Sequence, residues 1–127
     1  QVAFGTLACG SNITLPGEIT FLGSAGEWAT LTYTMSGRVN TCGHTYTDAY
    51  LDGTAPANYL GASGTDNQGG ACTWRRTISH TVHKRLTTSG SHVFHILFNC
   101  GSGASSFVDN AGEWPLGGLS WTVMVGG

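Results

Sequence analysis

The chain has 127 residues, of which 40% are hydrophobic and only 9% charged, with five basic residues against seven acidic and a net charge of −2. Five basic side chains cannot neutralise a run of phosphates, which excludes nucleic acid as a partner, and no apolar run approaches the roughly 20 residues of a membrane-spanning helix. Four Trp, four Tyr and five Phe beside so small a net charge are incompatible with a disordered chain and fit one globular domain over residues 1–127.

The opening Gln1-Val2-Ala3-Phe4 lacks an initiator Met and reads as a processed terminus or an excised domain. Helical periodicity is nearly absent along the chain. Strand-forming residues instead cluster in Asn12 to Phe21, Trp28 to Met35, Thr45 to Leu51, Thr73 to Leu86, His92 to Cys100 and Leu119 to Val125, with Gly, Ser, Asn or Asp between them. The pattern predicts an all-β fold. In Trp28 to Met35 the alternation places Ala29, Leu31, Tyr33 and Met35 on one face and Thr30, Thr32 and Thr34 on the other. Ala25-Gly26-Glu27-Trp28 recurs as Ala111-Gly112-Glu113-Trp114, which reads as one turn-into-strand device used twice rather than as a repeat architecture. Leu51 to Ala71 is rich in Gly, Asp, Asn and Pro and is predicted to be a long loop.

Thr73 to Leu86 and His92 to Cys100 read as a hairpin closed by Thr87-Thr88-Ser89-Gly90, with Leu86 opposite Ser91. That register puts His83, His92, Phe94, Ile96 and Phe98 on one face, beside Thr and Arg side chains. Rings on such a face need cover, and the expectation is a seam with a second copy of the chain, a trimer being favoured. His80 and His95 become diagonal neighbours across the same hairpin, but no carboxylate lies in these strands and no metal or other cofactor is expected. Histidines at a seam would make assembly depend on pH between about 5 and 7.

Cys9, Cys42, Cys72 and Cys100 are too far apart for a CxxC pair. They fit two disulfides in any of three connectivities, with Cys42–Cys72 and Cys9–Cys100 preferred because the first would staple the polar loop. With the acceptor sequence Asn12-Ile13-Thr14 they indicate an extracellular, cell-surface or virion setting. There is no Gly-x-Ser-x-Gly elbow, and Glu27 and Glu113 sit in matching turn contexts, so no enzymatic activity is expected. Two ligand-binding candidates remain. Arg75 and Arg76 beside Trp74 form a small anion-binding strip with a stacking platform, and Asp66, Asn67 and Gln68 beside two glycines offer oxygen ligands to sugar hydroxyls or to calcium.

The tract Tyr50-Leu51-Asp52-Gly53-Thr54, the segment Leu86-Thr87-Thr88-Ser89-Gly90-Ser91-His92-Val93-Phe94 and the closing strand Leu119 to Gly127 resemble the tumour-necrosis-factor and complement globular-head jelly roll, including its versions at viral tail-fibre tips. The resemblance implies an antiparallel β-sandwich of jelly-roll type, trimeric assembly and receptor attachment, with no catalytic residues. The expected function is a structural or attachment module of a multimeric fibre or virion, its partners being itself and a cell-surface glycan or receptor. Two alternatives stand beside it: an extracellular glycan-binding lectin, and a filament subunit that donates the apolar segment Gln1 to Ala8 to a neighbour's sheet.

Overall fold

A computed structural model describes residues 6–8, 13–14, 18–39, 43–67, 75–100, 106–109 and 118–127, with side chains described over 18–37, 45–64, 77–99 and 118–127. These residues form ten strands: β1 (Thr6–Ala8), β2 (Ile13–Thr14), β3 (Ile19–Gly23), β4 (Trp28–Val39), β5 (Gly43–Leu51), β6 (Tyr59–Asn67), β7 (Arg75–Arg85), β8 (Gly90–Cys100), β9 (Ser106–Asp109) and β10 (Gly118–Gly126). One 3₁₀ turn, Pro56–Asn58, is the helical element among them.

Every pairing is antiparallel. In the first sheet β4 is central, with β7 along one edge from Trp28↔Arg85 to Arg38↔Arg75. β10 runs along its other edge, and β9 continues that edge from Gly37↔Asp109, with β1 outside β9. In the second sheet β8 is central, flanked by β5 and then β6 on one side and by β2 and β3 end to end on the other. Apart from β5–β6 and β9–β10, successive strands from β3 onward alternate between the sheets. The chain is a jelly-roll β-sandwich.

The β4 alternation is as predicted: Ala29, Leu31, Tyr33 and Met35 are fully buried, while Thr30, Thr32 and Thr34 point outward. From β7 come Ile78 and Val82, and from β5 Ala49 and Leu51, to a core that each large side chain stabilises by roughly 1.5–3 kcal/mol.

The predicted hairpin does not form. β7 pairs with β4, β8 pairs with β5 and β3, and residues 86–89 cross from one sheet to the other. Leu86 continues the β7–β4 ladder through its N–H to Glu27 O and through Gly26 N–H to its own carbonyl, both at 2.8 Å. The reason is burial. Ile78, Val82 and Leu86 on one strand and Phe94, Ile96 and Phe98 on the other are both apolar rows; side by side in that hairpin register one row would face water, whereas stacked across a sandwich both are enclosed.

Phe94 and Phe98 are therefore 0% exposed, Ile96 4% and His92 3%, all inside this chain's own core. The inference from exposed rings to a subunit seam no longer applies to them, and of the five seam residues only His83 lies on the surface. His80 and His95 stand on different sheets and share no face. The predicted loop from Leu51 to Ala71 is also corrected, because Tyr59–Asn67 is strand β6. Thr6–Ala8, within the segment considered for donation, pair with β9 of the same chain.

Candidate functional site

The outward face of the β8 sheet is built by β5 and β6. Along β5, Thr45, Thr47, Ala49 and Leu51 point to the core, which turns Tyr46, Asp48 and Tyr50 the other way. Gly64 faces Tyr46 in the ladder, and a Cβ there would lie 2.6 Å from Tyr46 Cβ and 2.8 Å from the Thr45 carbonyl oxygen. Only glycine allows β6 to run this close to the tyrosine.

A β-bulge then re-aims the other end of β6. The register passes from Ala49↔Gly61 to Tyr50↔Tyr59, so Leu60 is the extra residue, with Gly61 at φ +138° beside it. Leu60 packs against the core, and Tyr59 emerges on the outer face, 46% exposed. Its ring stands 5.4 Å from Tyr50 at 60°, an edge-to-face pair.

Asp48 stands between Tyr46 and Tyr50 along β5 and is only 8% exposed. Burial pushes its carboxyl above the usual carboxylate range, while a hydrogen bond from Tyr59 and the charge of His80 favour the ionised form. Tyr50 and Tyr59 are both raised in turn, first by burial and then by the Asp48 charge. His95 of β8 faces Tyr50, with Glu18 Oε1 3.9 Å from its Nδ1. The result is a nearly buried oxygen acceptor, hydrogen-bonded by Tyr59, beside a pair of tyrosine rings. Such a surface stacks on the apolar face of a sugar and accepts its hydroxyl protons.

Two further polar groups each include a buried side chain, Tyr33 in one and His92 in the other. Tyr33, pushed up to about 12 by burial, has its hydroxyl 2.6 Å from Thr47 Oγ1 and 3.0 Å from His80 Nδ1. Burial holds His80 below the ordinary imidazole value, and a neutral ring can accept the Tyr33 proton.

The second group is His92 with Asp52, at a cleft of about 130 Å³ that Asn58, Lys84 and Thr87 also line. His92 Nδ1 is 2.7 Å from Asp52 Oδ2, and Nε2 is 3.0 Å from the Thr88 carbonyl oxygen. Both partners are acceptors, so the geometry is satisfied in full only by an imidazolium that donates twice. The Asp52 hydrogen bond accordingly raises His92 above its ordinary value, helped by Thr88 and opposed by burial. Asp52 also accepts from Val93 N–H at 2.9 Å and sits at φ 60°, a left-handed conformation that Asp tolerates. With both ring nitrogens engaged, His92 has no lone pair for a substrate. The pair is a clamp on the β5–β6 connection, not a general base.

Of the ligand residues predicted from sequence, Asp66 and Asn67 end β6, their backbones opposite His44 and Gly43, and so continue the strand that carries Tyr59. Arg75 and Arg76 begin β7, in the other sheet, opposite Arg38 and Gly37. Gln68 and Trp74 lie outside the described residues, as do Cys9, Cys42, Cys72, Asn12 and the second Ala-Gly-Glu-Trp; Cys100 ends β8 opposite Thr45. The tyrosine face itself was missed, although Tyr46-x-Asp48-x-Tyr50 within a predicted strand has the spacing that puts all three on one side.

No family profile and no curated protein matches the sequence. Solved structures with a similar fold include a carbohydrate-binding module of Cellvibrio mixtus lichenase 5A in complex with cellotriose, at 20% identity over 95% of this chain and 73% of that one, with a TM-score of 0.41. A CBM35 module from Cellvibrio japonicus has 12% identity over 99% and 94% of the two chains and a TM-score of 0.44. A chain of infectious bursal disease virus, Gx strain, has 12% identity over 98% of this chain and 31% of that one, with a TM-score of 0.46. These values are too low to carry a function from one protein to another.

Proposed function

We propose that the chain is a non-catalytic attachment module of an extracellular, cell-surface or virion assembly, and that it contacts a glycan through Tyr46, Asp48, Tyr50 and Tyr59. The observation that carries this reading is the β6 bulge, which turns Tyr59 outward to meet Tyr50 over a nearly buried carboxylate. A core-forming strand gains nothing from that inversion, whereas a sugar-binding surface needs exposed rings beside an acceptor. The reading is tested by screening the protein on a glycan array and titrating the best soluble oligosaccharide into wild type, Tyr50→Ala and Tyr59→Ala. Each variant is expected to weaken binding about tenfold, the loss of one stacked ring at ~1 kcal/mol or more. A flat array, or variants that bind as wild type does, overturns it.

Self-association is the second reading, favoured by Leu22 at 78% and Met124 at 70% exposure on the strands β3 and β10. Native mass in solution tests it: a trimer supports it and a monomer at working concentration removes it.

A further inference from the structure

The opposite side of the molecule, the outer face of the β4 sheet, has a different chemistry. Its centre is a grid of hydroxyls. Thr32 lies between Thr81 and Thr122, and Thr34 between Ser79 and Ser120, each row spanning β7, β4 and β10. The oxygens of Thr32 and Thr81 are 3.2 Å apart, those of Thr34 and Ser79 3.3 Å, and those of Ser36 and Thr77 3.1 Å. Each pair shares one proton and leaves the other, with spare lone pairs, for an outside partner. From Trp28 to Ser36 the outward positions of the three strands hold no Asp, Glu or Lys, and the one Arg, Arg85, is turned to the Gly26 carbonyl.

At one end of the grid a shallow depression of about 260 Å³ is lined by Trp28, Thr30 and His83. Trp28 is 45% exposed, and the edge-to-face contact with His83, centroids 5.6 Å apart at 80°, holds its indole in place. An exposed, braced indole beside an uncharged hydroxyl strip suits a neutral polyol better than an anion or a peptide: one sugar ring stacks on the indole while the chain's hydroxyls exchange hydrogen bonds with the grid. From Trp28 to Ser36 the strip runs roughly 27 Å, eight strand steps of ~3.4 Å, a length that several consecutive units of an extended polymer would match.

We infer that the Trp28–Ser36 strip is a second binding surface, for an extended, uncharged polysaccharide, separate from the tyrosine face. Two such surfaces on opposite sides of one sandwich would let the module bridge a polymer and a soluble or branched glycan.

Depletion from solution by microcrystalline cellulose and by chitin, with soluble starch as the helical control, tests the inference. Wild type is expected to partition onto one of the two solids, with starch unable to compete. Trp28→Ala is expected to lower the partition coefficient about tenfold, Trp28→Phe less, and the pair Thr32→Val with Thr81→Val severalfold, all with unchanged thermal unfolding. Tyr59→Ala is expected to leave solid binding intact while losing the oligosaccharide, so the two surfaces fail independently. Absence of binding to both solids, or a Trp28→Ala protein that binds as wild type does, overturns the inference. Loss of solid binding in Tyr59→Ala also overturns it, by placing the polymer on the tyrosine face.

Discussion

Replacing Asp52 probes the His92 clamp most sharply, because two substitutions at one position are expected to behave differently. Asp52→Ala removes the acceptor for buried His92 Nδ1–H and for Val93 N–H, and sets an alanine at φ 60°. Hydrogen bonds to charged groups contribute about 1.5–3 kcal/mol each, and the 41% exposure of Asp52 keeps the sum near the lower end, so a loss of about 2–4 kcal/mol is expected. That corresponds to roughly 6–12 °C in Tm for a domain of this size. Asp52→Asn keeps an oxygen for Val93 and tolerates the left-handed backbone. Its amide NH2 can donate to a neutral His92 whose Nε2–H still reaches Thr88, so a loss of only about 1 kcal/mol is expected.

The pH dependence separates the two states of the ring. His92 is raised in the folded protein, so its contribution is complete below the unfolded value of about 6.5 and is lost as pH rises through the higher folded value. His80 is lowered and acts with the opposite sign, losing stability as pH falls below about 6.5. Wild-type stability should therefore fall on the alkaline side of about 6.5, and Asp52→Asn should abolish that fall. Urea unfolding monitored by Trp fluorescence from pH 5.5 to 8.5 measures both effects. Equal losses for the two variants, or a wild-type stability that climbs steadily through pH 7 to 8, would refute the imidazolium assignment.

Phe94→Ala and Phe98→Ala should each lower stability by about 3–5 kcal/mol in the isolated chain, read by chemical denaturation; rings on a subunit seam would instead alter native mass and leave the protomer's unfolding little changed. Gly64→Ala should destabilise by about 1–3 kcal/mol and weaken oligosaccharide binding, since the new methyl meets both Tyr46 Cβ and backbone; calorimetry and titration check the two parts. Tyr33→Phe should cost about 1–2 kcal/mol by taking the hydroxyl from between Thr47 and His80, seen as a lower urea midpoint at unchanged m.

Strands with strict alternation were legible in the chain. Trp28 to Met35 shows its buried and solvated faces directly, and the tract closing at Val125 is strand β10, because period-two patterning needs no tertiary information. What failed depended on which strand meets which. Thr87 to Gly90 suits a hairpin and an inter-sheet crossing equally, and only the enclosure of Ile78 and Phe94 together decides between them. Strand β6 was hidden for another reason: Gly61 and Gly64 look like loop residues, yet one permits the bulge and the other makes room for Tyr46. With β6 read as loop, Tyr59 had no partner strand, and the face it forms with Tyr50 and Asp48 could not be assembled from spacing alone.

The glycan-binding account is tested most directly by amide chemical-shift mapping of the ¹⁵N-labelled protein during titration with a soluble oligosaccharide selected on the array. The account predicts saturable shifts centred on Tyr46, Asp48, Tyr50, Tyr59 and His95, with the core amides of Leu31 and Ile78 unmoved. Saturable shifts confined to the Asp52–His92 cleft, or none at any concentration, would contradict it.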